Sequence, residues 1–265
     1  MKLAMFQMDI IPGEPSENCK KVATWAKEAA TVHQADAIVL PELWTTAYTL
    51  EALADLAVEE NNDTILSFLQ EIAATHQLTV FGGSYAAKTK NGVVNRAVVI
   101  TKDGETAEMY DKIHLVPMLQ EPSYMAPGKQ LPSLLHHQDM KAAVSICYDL
   151  RFPELFRPLA VDGANLFVIP AEWPAARARH WETLLTARAI ENQAFVAGCN
   201  RAGSYNGTEF AGRSMIIDPL GNTVAKASND QEETIVADID FKLTAETRKN
   251  IPVFSSREPS LYRFS

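Results

Sequence analysis

Three polar residues stand at the ends of apolar, strand-like runs: Glu42 in VLPELW, Lys112 in YDKIHLVP and Cys147 in VSICYDLRFPE. Together these residue types suit acyl transfer. A cysteine attacks as thiolate, so it needs a neighbour that removes its proton or lowers its pKa. Glu42 suits the base. Lys112 suits the cation that steadies the thiolate and then the oxyanion formed when an acyl carbon is attacked. Taken singly, each has a blander reading: Cys147 as a small buried hydrophobe, Glu42 as a loop or helix-start carboxylate, Lys112 as a solvated surface residue. Strand ends are numerous, so spacing alone does not assemble the three.

The elements that must position them follow from periodicity. A short apolar run predicts a strand over 3–8, and Val22, Trp25, Ala26, Ala29 and Val32 recur at helical spacing after Ser16. A second aliphatic run over 37–40 stops at Pro41, which marks a strand end and leaves Glu42 just beyond it. Asp63 is expected to cap a helix carrying Ile65, Leu66, Leu69, Ile72 and Ala73, followed by a strand over 78–81. Asn91-Gly92 and Asp103-Gly104 supply the positive φ of tight hairpins around 93–100, predicting an antiparallel meander. From Ala142 the alternation of strand and helix resumes, with 144–147 extended, a helix opened by Pro153, a strand over 166–169 and a helix over 177–192. Strands over 195–197, 215–217 and 235–239 complete a layered α/β domain, with Gly221-Asn222 as a further turn. No linker, repeat or low-complexity stretch divides the chain, so one domain over 1–265 is expected.

The words around the three residues carry more than their spacing. LPELWTTAY, YDKIHLVPM and SICYDLRFPE, in that order, resemble the three motifs of the nitrilase, or carbon-nitrogen hydrolase, superfamily. The resemblance continues through IPAEWP, HWETLLTARAIENQ, GCNRAG and GRSMIIDPLG, and is greatest with the omega-amidase-like branch. It implies a four-layer α-β-β-α sandwich, a Glu42-Lys112-Cys147 triad, a thioester intermediate and release of ammonia from a small amide. It also implies omega-amides of 2-oxo acids, such as 2-oxoglutaramate, as substrates. Members often carry a second glutamate near a Pro-Gly, and Glu121 upstream of Pro127-Gly128 is similar in placement. Its bland reading is an exposed acid on a loop. The backbone N–H of Tyr148 would join Lys112 at the oxyanion.

Outside the motifs, Trp173 in IPAEWP is a pocket candidate, and Arg177 and Arg179 after it are candidates for a substrate carboxylate, with packing and surface charge as the alternatives. His136-His137 and His114 lack metal-ligand spacing, so no metal is expected, and the chemistry requires no organic cofactor. Gly82-Gly83 lacks a phosphate-loop pattern. Cys19 and Cys199 have no motif reason to react and are expected to be structural.

The 265 residues are 47% apolar and 22% charged, which excludes a disordered or disulfide-scaffold chain. Net charge is −9 without a basic cluster, which disfavours nucleic acid and anionic membrane as partners. Three cysteines and no long apolar run point to a cytoplasmic, non-membrane protein. The resemblance implies a homodimer or higher homo-oligomer, and Phe254, Tyr262 and Phe264 in the tail are candidates for packing across a partner or back on their own subunit. Two other functions compete with the omega-amidase: another hydrolase of the superfamily acting on an N-carbamoyl amine, an aliphatic amide or a nitrile, and a non-catalytic binding protein that keeps the fold.

Overall fold

The structure is a computed structural model that describes residues 1–262. Strand β1 (Lys2–Gln7) leads to helix α1 (Pro15–Thr31) and strand β2 (Ala37–Val39). After the short α2 (Leu53–Leu56) and β3 (Val58–Glu59), helix α3 (Thr64–His76) feeds β4 (Thr79–Thr89), β5 (Gly92–Ile100) and β6 (Thr106–Asp111). A single turn, α4 (Glu121–Tyr124), precedes β7 (Leu135–His137), β8 (Met140–Val144), α5 (Pro153–Val161), β9 (Leu166–Ala171), α6 (Ala178–Asn192) and β10 (Phe195–Asn200). The ribbon of β11 (Ser204–Tyr205) and β12 (Thr208–Glu209) follows, then β13 (Met215–Ile217), β14 (Thr223–Lys226), β15 (Glu233–Asp238) and α7 (Lys242–Asn250).

Two sheets carry the fold. One has the order β15-β1-β2-β4-β5-β6, with β3 also paired to β4, and the other β14-β13-β10-β9-β8-β7. Each has three parallel strands at its centre, β1-β2-β4 in one and β8-β9-β10 in the other; the strands outside them pair antiparallel, except the short β3, which runs parallel to β4. The expected meander is β4-β5-β6. Strand β4 runs well past the four residues that its apolar run predicts, because Val58–Glu59 and the long β5 pair with its second half.

Alternation along the strands explains the layering. In the first sheet Leu3, Met5, Ala37 and Val39 face one core, which they share with Ala142, Val144, Leu166 and Val168 of the second sheet. Their neighbours Ala4, Phe6, Ile38 and Leu40 face a second core built from α1 and α3. Helix α1 buries Val22, Trp25, Ala26 and Ala29 there, with Trp25 stacked on Phe6 at 4.7 Å between ring centroids. Asp63 caps α3 by accepting from the Leu66 N–H at 2.8 Å, as its position in the sequence predicts. On the other side, α5 and α6 cover the second sheet with Leu155, Phe156, Trp181 and Leu185. The result is the four-layer α-β-β-α sandwich.

The tail returns to its own chain. Arg157 and Arg248 stand over the Phe254 ring at 5.5 and 4.9 Å, and the Tyr262 hydroxyl accepts from the Glu258 N–H. Phe264 lies outside the described residues. Among those residues no helix is long and apolar enough to cross a membrane.

Candidate active site

Glu42 is placed by a tight junction between the end of β2 and a bulge in β4. The pairing of β4 with β5 shifts register between Phe81 and Ser84, and the Ser84 N–H donates to the Pro41 carbonyl at 3.0 Å. The Ser84 hydroxyl accepts from the Leu43 N–H at 3.0 Å, and the Ser84 carbonyl accepts from the Trp44 N–H at 3.1 Å. Gly83 makes this approach feasible: its φ is +59°, and a Cβ there would lie 2.1 Å from the Pro41 carbonyl oxygen. Glu42 is fully buried, and its carboxylate accepts three hydrogen bonds. Oε1 takes Asn95 Nδ2 at 2.9 Å and Lys112 Nζ at 2.8 Å, and Oε2 takes the Glu172 backbone N–H at 2.8 Å.

Lys112 follows the last residue of β6, with its backbone pinned on both sides. Its N–H donates to the Asn95 carbonyl, and its carbonyl accepts from the Gly128 N–H, both at 2.9 Å. Gly128 is needed as glycine because a Cβ would fall 2.0 Å from the Asp111 carbonyl oxygen. The buried Lys112 ammonium donates to Glu42 Oε1 and to Glu121 Oε1, each at 2.8 Å. Glu121 is therefore not an exposed loop acid. It opens the one-turn α4, it is fully buried, and its Oε2 accepts from the Val116 N–H at 2.6 Å.

Cys147 comes from the second sheet. Pairing continues past β8 to Ser145, whose N–H donates to the Val168 carbonyl, and the chain then breaks into a 3₁₀ turn over Cys147–Arg151. The extended segment expected over 144–147 thus ends early, and Cys147 itself has φ +46°. Such a conformation is costly for a non-glycine residue and persists where surrounding bonds impose it. Asp149 supplies them. Its Oδ2 accepts from the Ile146 N–H at 2.9 Å and the Tyr110 hydroxyl at 2.8 Å, and its Oδ1 lies 2.8 Å from His114 Nδ1. One buried carboxylate thereby ties the turn that carries Cys147 to β6 and the loop after it.

Burial above all, and then the charge and hydrogen bond of Glu42, push the Cys147 thiol well above its ordinary pKa, while Lys112 opposes them. Burial works against the Lys112 charge, but Glu42 and then Cys147 outweigh it and hold the ammonium above its usual range. Glu121 is raised by burial and by the charge of Glu42, with the Val116 N–H opposing. The arrangement is a nucleophile held as thiol beside a carboxylate, with a cation that bridges two carboxylates. It can perform base-assisted attack on a carbonyl carbon.

Cys147 opens on a small cavity together with Tyr148, Arg151, Glu172, Trp173 and Arg177, and Met118 and Leu119 supply an apolar side. Trp173 and Arg177 thus stand where the sequence suggests, Trp173 donating from Nε1 to the Arg177 carbonyl at 2.9 Å. Arg179 does not join them; it lies exposed in the first turn of α6. The cation that enters instead is Arg151, four residues after Cys147, whose guanidinium stands 4.7 Å from the Trp173 ring centroid and 5.6 Å from that of Tyr148. Its Nε is buried without a partner among the described residues.

Sequence reasoning also missed Glu172. It lies just past the end of β9, almost fully buried, with Oε2 accepting from Arg201 Nη1 at 3.0 Å. Burial raises its carboxyl, Arg201 lowers it, Glu42 raises it again, and it ends at about 8. The strand-end logic that selects Glu42 applies equally to Glu172, since both follow an apolar strand closely. Among the described residues no group of His, Cys, Asp and Glu side chains is arranged to hold a metal ion. Cys199 is fully buried in β10, its Sγ 3.4 Å from the Phe6 carbonyl oxygen, away from the cavity.

Comparison with known proteins adds relatives to this geometry. A family model described as carbon-nitrogen hydrolase matches residues 2–249. A 2-oxoglutaramate amidase of Bacillus subtilis is 42% identical over 98% of both chains. An omega-amidase of Yersinia enterocolitica is 38% identical over 87% of this chain and 88% of its own. Among solved structures, a CN-hydrolase superfamily protein of Xanthomonas campestris superposes with a TM-score of 0.90 at 30% identity, covering 100% of this chain and 99% of its own.

Proposed function

The chain belongs to the carbon-nitrogen hydrolase family, and from that premise we propose an omega-amidase that cleaves small 2-oxo acid amides of the 2-oxoglutaramate type. The observation that carries the reading is the buried Lys112 ammonium, 2.8 Å from both Glu42 and Glu121, beside a cysteine on a cavity that also holds Arg151.

In this reading Cys147 Sγ attacks the amide carbon while its proton passes to Glu42. The oxyanion lies between Lys112 Nζ and the Tyr148 N–H, which sits in the first turn of the 3₁₀ segment where helical N–H groups have no partner within the turn. The C–N bond breaks as Glu42 returns the proton to nitrogen, ammonia leaves, and a thioester remains. Water then attacks the thioester with Glu42 as base, the C–S bond breaks, and the thiol is restored with a carboxylate as product. Glu121 holds Lys112 in place. Arg151, stacked on Trp173 and with an unpartnered Nε, receives the substrate carboxylate, with Arg177 at the rim. The same reading takes 1–265 as one domain that acts in the cytoplasm as a homodimer or larger homo-oligomer.

The test is a panel of 2-oxoglutaramate, glutamine, a neutral aliphatic amide, an N-carbamoyl amine and a nitrile, followed by ammonia release and kcat/KM. The omega-amidase reading requires 2-oxoglutaramate to lead. Preference for the nitrile or the carbamoyl amine rejects it in favour of another hydrolase of the family. Cys147→Ala is expected to fold and release no ammonia.

A further inference from the structure

The carboxylates around Cys147 differ in how many hydrogen bonds they already accept. Glu42 accepts three, from Asn95, Lys112 and the Glu172 N–H, and Glu121 accepts two, from Lys112 and the Val116 N–H. Glu172 accepts one. Its Oε2 is taken by Arg201 Nη1 at 3.0 Å, while Oε1 is buried and has no partner among the described residues. Leaving a buried acceptor unmade costs free energy, so such an atom in a cavity wall calls for a donor.

The side chain is not free to turn away. Arg201 is itself fully buried and fixed by further bonds, from Nε to the Ala202 carbonyl at 2.9 Å and from Nη2 to the Ile10 carbonyl at 3.0 Å, with its guanidinium 4.4 Å from the Phe210 ring centroid. The Glu172 backbone is fixed at the other end by its bond to Glu42. Glu172 is therefore rigidly mounted, and it lines the cavity that Cys147 opens on, with its unpartnered Oε1 buried.

A primary amide brings one acceptor and two N–H donors. The oxygen is provided for by Lys112 and the Tyr148 N–H, and one N–H faces the base that will protonate the leaving nitrogen. We propose that Glu172 Oε1 accepts the remaining N–H, which makes Glu172 a substrate-contacting residue that selects an unsubstituted amide nitrogen over an ester oxygen. The inference rests on the amidase reading above. Burial lifts the Glu172 carboxyl to about 8, and while protonated its free oxygen would donate rather than accept, so the contact forms with the ionised side chain and strengthens as pH rises through that value.

Glu172→Gln tests this with little change of shape. Arg201 donates to Oε2, so the carbonyl oxygen of the glutamine is held there and its NH2 takes the Oε1 position, placing a donor where the substrate N–H needs an acceptor. The probes are 2-oxoglutaramate and the ω-methyl ester of 2-oxoglutarate, which share a skeleton and differ in the leaving group. Assayed above about pH 8, where Glu172 is ionised, the ratio of kcat/KM for amide over ester is expected to fall about 10- to 100-fold in the variant, the range for a lost bond to a charged group. Both substrates report on the same folded fraction, so partial unfolding cancels in the ratio. An unchanged ratio, with wild-type amidase activity present, overturns the inference alone and leaves Glu172 as a support for Glu42. Wild-type protein that releases no ammonia from 2-oxoglutaramate or from a neutral amide overturns the amidase reading, and this inference with it.

Discussion

Lys112 Nζ lies 2.8 Å from Glu42 Oε1 although the two residues are 70 positions apart and both are wholly removed from solvent. A lone ammonium at that depth would be neutralised; Glu42 beside it does most to keep Lys112 charged. Lys112→Met is therefore expected to harm the protein twice. Ammonia release should fall about 100- to 1000-fold with loss of an oxyanion donor. Stability should fall by about 3–5 kcal/mol, because two buried carboxylates lose their cation. Urea unfolding followed alongside activity separates the two losses.

The raised thiol of Cys147 has a direct chemical signature. Its thiolate fraction near neutral pH is small and grows about tenfold per pH unit, without levelling off in the range where an ordinary cysteine does. Alkylation by iodoacetamide, followed by mass spectrometry from about pH 6 to about pH 9, should show a steady climb in rate. A plateau below about pH 8 would mean a preformed thiolate and a different role for Glu42.

Three arginines near the cavity should behave differently. Arg151→Gln is expected to raise KM for an anionic amide about tenfold or more and to leave a neutral amide little changed. Arg177→Ala should have a smaller effect of the same kind, since Arg177 lines the cavity but does not stack on Trp173. Arg179→Ala, exposed on α6, should have none. Equal losses on neutral and anionic amides in Arg151→Gln would remove the carboxylate role.

Glu172 also makes stability depend on pH. Its carboxyl is raised from an ordinary 4.5 to about 8, so the folded chain keeps a proton that the unfolded chain has released. That difference makes wild-type stability decline as pH rises from about 4.5 to about 8. Glu172→Gln cannot titrate. The Tm of wild type minus that of the variant should thus decrease across the window, and a constant difference would show that Glu172 is not held protonated.

Much of this site was legible in the sequence because the chemistry sits at strand ends, and strand ends are marked by short words of apolar residues closed by Pro or a polar residue. Strand ends single out Glu42, Lys112 and Cys147 as candidates, and the resemblance of the words around them to the family's three motifs is what joins them into a triad. Glu172 and Arg151 stood inside words already quoted, IPAEWP and SICYDLRFPE, yet nothing in the local pattern says which polar residue turns inward; the partner Arg201 is brought in by the β9-β10 pairing. Arg179 looked as eligible as Arg177, yet the two positions between the 3₁₀ turn that ends at Arg177 and the first turn of α6 separate cavity wall from solvent. The positive φ of Cys147 was hidden, since it is imposed by Asp149 and Tyr110 rather than by the cysteine. The ribbon of β11 and β12 turns on Asn206-Gly207, a hairpin signal present in the sequence but flanked by strands too short to show a pattern.

The two sheets contribute unlike halves of the site: Glu42 and Lys112 come from the sheet with β2 and β6, Cys147 and Glu172 from the sheet with β8 and β9. Neither half holds a complete reaction centre. A folding intermediate with only the second sheet formed would carry a thiol without its base, and so could not turn substrate over. Catalytic competence arrives with the docking of the sheets, which makes turnover a sensitive reporter of that last packing step. Mild denaturant that loosens the interface between them should silence the protein while its helices and strands are still in place.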